Sequence, residues 1–502
     1  MNGVAFEPGF SRQLGDLAPY LIVAGGGLAA MLADAFRHGD RSGGLFGLSL
    51  VTLLGAAFAY LRPSGSGSDT LLGGMLANDP YTGFFGLLFL GIALLTLVFG
   101  AGPFGRAGVR GDFYPVLLFA TLGMMVLAAA NDFLSLYLGL ETMSLATYVL
   151  VGGRKGSAHS SEAGFKYLLL GGFASAFLLF GIALTFGFAG STSLDVVRAA
   201  LAAPNHEAWL LAAGGGLILI GFGFKIAMVP FHMWTPDVYD GAPSHVTGFM
   251  ATGIKAAAFA SLLRVTLVLL PAFSSFWFPL LAVLAVVTMT LGNLVALAQT
   301  NLKRLLAYSS IAHAGYLLLG VLALLVPHTR QGHAAAEAAG GGVLFYLVGY
   351  AVMNLAAFGI VSFLGNPAPD RESDADDLRG YAGLARRQPL AAAALAIALF
   401  SLAGIPPTVG FMGKFYVFDA VVRSGLVPLA IWGVVNSLVS VYYYLRVVVT
   451  MYMAPADETA YDGRSWSSAL AVSVLAALVV VLGILPGGVH RVAEAAFRAI
   501  LG

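Results

Sequence analysis

The 502-residue chain contains no cysteine and little charge. Without thiolates it can neither close a disulfide nor hold a cysteine-ligated iron–sulfur cluster. Charged residues make up 10% of it, against about 25% in an ordinary soluble domain. The net charge of +1 offers no electrostatic basis for binding nucleic acid. The start MNGVAFEPGFSRQLGDL lacks the basic beginning and apolar core of a cleavable signal. His, Asp and Glu show no zinc-ligand spacing, and neither a nucleophile triad nor a P-loop is present. Lysine is scarce too, with six lysines against twenty arginines. What fills the sequence is apolar: 59% of residues are hydrophobic and mean hydropathy is +0.86.

Crossing the hydrocarbon of a bilayer takes about 20 apolar residues in a helix. Runs of that length recur from end to end and predict an all-α polytopic membrane protein of about fourteen spans. They lie near 18–36, 43–62, 82–100, 113–130, 132–152, 163–188, 208–230, 244–270, 273–299, 305–326, 342–365, 388–422, 427–453 and 468–486. The run 388–422 is too long for one plain span and contains GIPPTVG, so span 12 reads as a broken helix. Pro230 breaks span 7 in the same way. The two breaks are five spans apart, and a five-helix unit repeated once must return upside down. The chain therefore divides, as a single membrane domain, into helices 1–3 (1–112), a first repeat of helices 4–8 (113–270) and an inverted second repeat of helices 9–13 (271–453). Helix 14 and an amphipathic tail at the membrane interface complete it (454–502). The alternative is that prolines are simply frequent in membrane helices.

Basic loop residues number thirteen on one side of these spans and seven on the other. By the positive-inside rule the richer side is cytoplasmic, which leaves both termini outside. The Ala- and Gly-rich, Lys-poor composition points to a bacterial origin.

The lysines are not spread evenly. Lys155 and Lys303 are assigned to loops, whereas Lys166, Lys225, Lys255 and Lys414 fall within spans 6, 7, 8 and 12. Arginine stays charged in any protein setting, whereas a desolvated lysine can shed its proton near neutrality. Fixed charge suits a pore or a structural ion pair; a group that can be either suits a proton relay. Lys255 lies about 16 Å into its span, close to the midplane. Lys225 and Lys414 adjoin the two breaks, where freed backbone groups admit water. Lys166 is near the start of its span and can snorkel outward. The competing reading for each is a structural ion pair.

Glu141 is the acidic candidate, about 13 Å down span 5. Paired with a lysine it would hold both groups charged, and breaking the pair would release a proton; a protonated carboxyl bonded to a carbonyl is the alternative. His232, after Pro230, and His313, in YSSIAHAGY, are candidate bridges between lysines too distant for direct transfer. His245 reads instead as a hydrogen-bonded core residue. GGGLAA at Gly25–Ala30 fits a dinucleotide-binding pattern, but it lies inside a span, where small residues serve helix packing.

Three stretches carry a family likeness: FKIAMVPFHMWTPDVYDGAPSHVTGFMATGIKAAAF (224–259), NLKRLLAYSSIAHAGY (301–316) and LAGIPPTVGFMGKFYVF (402–418), with FKYLLLGGFASAFLLFGIAL (165–184) in agreement. They resemble the antiporter-like membrane subunits of respiratory complex I, the proton-pumping NADH:quinone oxidoreductase, along essentially the whole chain. Within that family the subunit N branch is the most similar. The subunit L branch carries a long lateral helix after its last span, and the subunit M branch has glutamate where this chain has Lys414. The resemblance implies that Glu141 and Lys225 are the charged pair of the proton-uptake half, with Lys166 beside it. It further implies that Lys255 is the central relay and Lys414 the group on the exit side. NADH, FMN, iron–sulfur clusters and quinone would then belong to other subunits, with no cofactor or metal in this chain. The partners implied are the other membrane subunits, the peripheral arm and the lipid bilayer. A stand-alone cation/proton antiporter, or the equivalent subunit of a membrane-bound hydrogenase-type complex, is the rival reading.

Overall fold

A computed structural model describes residues 8–36, 43–62, 69–101, 111–202, 208–269, 274–326, 332–365, 376–455 and 466–501. Seven of the arginines used to orient the chain (37, 41, 106, 110, 330, 371 and 464) lie outside the described residues.

The architecture is all-α and polytopic, with one small hairpin (β1 Thr70–Leu71, β2 Leu76–Ala77). Helices α1 (Pro8–Ala35), α2 (Gly43–Tyr60) and α3 (Pro80–Ala101) come first. Then follow α4 (Phe113–Ala129), α5 (Phe133–Val151), α6 (Ala158–Ala189) and the short α7 (Leu194–Ala202). A broken segment comes next, α8 (Ala208–Ile226) and α9 (Trp234–Gly241), before α10 (Ser244–Phe249), a π-turn over Met250–Ile254 and α11 (Lys255–Leu269). The second half holds α12 (Ser274–Leu297), α13 (Leu302–Leu325), α14 (Gly332–Leu364) and the single turn α15 (Leu384–Arg387). A second broken segment, α16 (Pro389–Ala403) and α17 (Val409–Arg423), leads to α18 (Val427–Met453), α19 (Trp466–Ile484) and α20 (Gly487–Leu501).

Among the described residues, twelve helices are long and apolar enough to cross a membrane, and Phe113–Ala129 and Pro389–Ala403 are shorter apolar helices. Both expected breaks are present. The first follows Ile226, where Ala227 adopts φ +61°, a left-handed conformation that costs a residue with a Cβ about 1 kcal/mol or more. The second follows Gly404 at φ +83°, which caps α16 without that penalty. Helix starts follow local chemistry elsewhere. Asp132 accepts from the Leu134 N–H at α5, Ser157 from Ser160 at α6 and Asn301 from Arg304 at α13.

Small residues decide how closely the helices approach. A Cβ at Gly123 would meet the Met143 backbone across α4–α5, and one at Gly139 the Leu127 backbone. Gly292 and Gly315 do the same across α12–α13. In the GGGLAA stretch Gly26 packs against Thr52 and Gly27 against Phe119, so it is a packing face inside α1. Ser244–Val268 is buried along its whole length and Leu302–Leu325 almost so. An all-round apolar helix finds its place in the centre of such a bundle. The outward flanks are apolar as well: Phe58 on α2, Phe173 and Phe180 on α6, Val283 on α12 and Leu438 on α18 are exposed, as lipid contact requires. The C-terminal tail is a docked helix. In α20, Ala493, Ala496 and Phe497 are buried, Phe497 seats on Gly340 of α14, and Arg498 pairs with Glu337.

Lys303 differs from its loop assignment. It is the second residue of α13 and is 1% exposed, its ammonium donating to the carbonyls of Asp240 and Ala242 at 2.5 and 2.7 Å with Asp376 at 3.7 Å. The NLKR sequence is polar, but the end of α9 supplies carbonyls that have no intrahelical donor, and a lysine stem long enough to reach them. Arg264 lies in the second half of α11. It makes two hydrogen bonds to Asp79, at 2.9 and 3.3 Å.

Candidate functional site

The site is built around three ammonium groups buried among apolar helices: Lys225, Lys255 and Lys414, at 3, 2 and 4% exposure. Burial of a lone charge is expensive, so each must be met by polar groups.

Lys225 occupies the last turn of α8, directly before the break. Its Nζ donates to Ser144 Oγ at 2.8 Å and reaches Tyr148 Oη at 3.5 Å. The rings of Tyr148, Tyr167 and Phe224 lie within 5.6 Å of it, close enough for cation–π attraction. Ser144 and Tyr148 are on one stripe of α5 that begins at Glu141. The Tyr148 phenol has room because α6 carries Gly171 there; a Cβ at that position would lie 2.1 Å from Tyr148 Oη. Glu141 is half-buried and accepts a hydrogen bond from Ser175 of α6. No direct ion pair joins Glu141 to Lys225: the lysine is engaged one turn further along the same stripe.

Lys255 follows the π-turn, a device that re-aims side chains by one residue. Its Nζ is 2.5 Å from both the carbonyl and the hydroxyl of Ser310 on α13, and it lies 5.3 Å from the centre of the Tyr350 ring. Lys414, on α17, donates to the carbonyls of Leu402 and Ala403 at 3.0 and 3.2 Å and to Ser437 Oγ at 2.8 Å. Those carbonyls are free because α16 stops at Gly404. The Tyr316 ring is 5.1 Å away.

His313 stands between the last two lysines. Its ring centre is 5.2 Å from that of Tyr350, the Lys255 ring, and 5.6 Å from that of Tyr316, the Lys414 ring. Nδ1 is 2.6 Å from Tyr346 Oη and Nε2 3.3 Å from Tyr444 Oη, whose hydroxyl also meets Ser309. Imidazole accepts a proton on one nitrogen and releases it from the other, and here both nitrogens face hydroxyls.

The other candidates lie apart from this line. Lys166 is 41% exposed and pairs with Glu162 at 2.8 Å and Asp237 at 3.0 Å. Asp237 also binds Arg304 of α13 at 2.8 Å. His232 is half-buried in the first break, and no hydrogen bond or ring contact joins it to any of the lysines. His245 is buried, edge-on to Phe113 at 5.3 Å. The partners that sequence reasoning missed are Ser144, Tyr148, Ser310, Ser437, Tyr346, Tyr350 and Tyr444. Helical spacing from Glu141 would have flagged Ser144 and Tyr148, and Ser310 sits in the quoted YSSIAH stretch. The others come from distant helices. Among the described residues no three His, Asp or Glu side chains could hold a metal ion.

A family profile described as NADH:quinone oxidoreductase/Mrp antiporter, TM, matches residues 130–440, the stretch that contains Glu141, Lys166, Lys225, His232, Lys255, His313 and Lys414. The chain belongs to that family. Among curated relatives of this antiporter-type subunit, NADH-quinone oxidoreductase subunit N of Trichlorobacter lovleyi is 42% identical over 97% of this chain and 98% of its own. Subunit N 1 of Sorangium cellulosum is 44% identical over 94% and 96%. Of solved structures, a chain of respiratory complex I from Thermus thermophilus superposes with TM-score 0.78 at 36% identity, covering 94% of this chain and 98% of that one. A chain of the Mrp complex from a Dietzia species shares the fold, with TM-score 0.81 at 22% identity over 97% and 99%.

Proposed function

We propose that this antiporter-family chain is the subunit N of a bacterial proton-pumping NADH:quinone oxidoreductase. It moves protons through its core while redox chemistry proceeds in other subunits. The observation that carries the reading is the file of contacts Lys255–Tyr350–His313–Tyr316–Lys414 through the bundle; in this reading Lys225 and Glu141 feed it from α8 and α5. Amines in this setting can exist with or without charge, which a relay needs and a structural ion pair does not. NADH, FMN, the iron–sulfur clusters and quinone are assigned to partner subunits of the membrane and peripheral arms. The location is the inner membrane with both termini outside, in keeping with the distribution of basic loop residues. Helices 4–8 and 9–13 form the inverted repeats. The paired glycine contacts of α4–α5 and α12–α13, and the two broken segments, support that division. Lys166 gathers protons at the cytoplasmic surface with Glu162 and Asp237, and His232 serves only if hydration of the break connects it.

The test is Lys225→Ala and Glu141→Ala in the intact complex. Both should assemble yet lose most pumping-coupled quinone reduction. Normal proton transfer per electron in both would refute the relay.

A further inference from the structure

Each buried lysine of the relay donates to one serine hydroxyl on a neighbouring helix. Lys225 meets Ser144 of α5 at 2.8 Å, Lys255 meets Ser310 of α13 at 2.5 Å, and Lys414 meets Ser437 of α18 at 2.8 Å. No carboxylate takes that place at any of the three. The serines come from three helices; α5 and α13 occupy the same place in the two repeats, but Ser144 meets the lysine of a broken helix and Ser310 the lysine that follows the π-turn.

A hydroxyl has one property that a carboxylate and a carbonyl lack: it is donor and acceptor at once, and its proton rotates. Facing an ammonium it accepts, and its own proton goes elsewhere. At Ser144 that proton goes to the Leu140 carbonyl, and at Ser437 to the Ala403 carbonyl at 3.4 Å. Facing a neutral amine it can turn and donate to the nitrogen lone pair. A carboxylate would favour the charged lysine alone. An apolar neighbour would take one partner from each ammonium, leaving Lys225 with Tyr148, Lys255 with the Ser310 carbonyl and Lys414 with the Leu402 and Ala403 carbonyls, none of which can turn to donate to a neutral amine as freely as a serine hydroxyl. We propose that Ser144, Ser310 and Ser437 are positioning residues of the relay, which hold each amine in place in both of its protonation states so that neither state is trapped. The inference rests on the relay reading above and goes beyond it. No bond between heavy atoms forms or breaks; one N–H bond of the amine forms as a proton arrives from the preceding group of the relay or breaks as it passes to the next, and the serine hydroxyl reorients to match.

Ser437 is the residue to test, since it is only half-buried. Asparagine and aspartate have nearly the same shape, but asparagine can donate or accept whereas aspartate only accepts. Three variants of the intact complex in proteoliposomes are compared with wild type: Lys414→Ala, Ser437→Asn and Ser437→Asp. Lys414→Ala should lose coupled proton transfer; if it pumps normally, the relay reading itself fails. Given that loss, Ser437→Asn should retain at least about half of wild-type pumping and Ser437→Asp should fall at least about tenfold. Equal activity in the Asn and Asp variants overturns the proposal and leaves the relay standing. Should the Asp variant fail to assemble, Ser437→Ala replaces it. Its coupled turnover is expected to show a displaced pH profile, and an unchanged profile overturns the proposal.

Discussion

At the scale of single residues, the protein solves the problem of a charge in oil without an opposing charge. Hydroxyls, carbonyls and aromatic faces share the work. In the proposed relay His313 is the residue on which the file turns, because the tyrosine rings on its two sides belong to different lysines. Replacing it by phenylalanine keeps the ring and removes both nitrogens. His313→Phe is expected to cut coupled quinone reduction at least about tenfold with subunit content unchanged; proton-to-electron stoichiometry in vesicles measures it, and an unaltered ratio would remove His313 from the route. The lysines and His313 were legible in the sequence because a titratable residue inside a long apolar run has few structural excuses. Their tyrosine and serine partners were not. Tyr346 and Tyr444 reach His313 from α14 and α18, across 33 and 131 residues of chain, and nothing local marks them out among ordinary membrane tyrosines. Glu141 was legible as an acid at depth, but its attachment to Ser175 rather than to Lys225 depends on the rotation of α5, which composition does not set.

At the scale of elements, the breaks convert helix ends into binding groups. Proline punctuation located both in the sequence, at Pro230 and in GIPPTVG. Their purpose is clearer in space: α16 must stop where it does so that Leu402 and Ala403 present free carbonyls to Lys414. Gly404 makes that stop possible through its φ of +83°, and a Cβ there would also come within 3.3 Å of Lys414 Nζ. Gly404→Ala should therefore destabilise the protein by about 1–3 kcal/mol and lower coupled turnover by displacing the amine. Thermal unfolding in detergent, with proton uptake on the same preparation, would detect both effects; wild-type values for the two would mean that this cap does not seat Lys414. The π-turn before Lys255 left no sequence signal, because MATGI is as compatible with a regular α-helix as with a wider one. The loop assignment of Lys303 failed for a related reason. The carbonyls that hold it come from the end of α9, some sixty residues earlier in the chain.

At the scale of the whole molecule, the bundle is tied at both ends of its central helices. At one end Asp79, before α3, takes two hydrogen bonds from Arg264 of α11 and one from the Thr82 N–H. Burial alone would raise the Asp79 carboxyl, but Arg264 and Thr82 outweigh it and hold it below the usual carboxylate range. A carboxyl with a lowered folded-state value stabilises the fold above its unfolded value, about 3.9, and that contribution disappears only as pH falls through the lower, folded value. Asp79→Asn should therefore reduce thermal stability at pH 7, by up to about 3–5 kcal/mol if Arg264 is left unpaired. The gap between variant and wild type should close in strong acid; melting curves across pH provide the check, and a gap independent of pH would show that the pair's charge is irrelevant. At the other end Lys303 pins α13 to the turn between α9 and α10, and Asp237 clasps Lys166 and Arg304 together. Those clasps join the first half of the chain to the second. A carrier that works by swinging one half against the other needs a joint, and these contacts span the two halves. With them held, turnover is expected to proceed by side-chain rotation and transient wetting rather than by movement of the halves. Spin labels on Leu138 and Leu438, exposed on α5 and α18 in the two halves, should keep a constant separation while the complex pumps, and a change of several ångströms would mean that the clasps open.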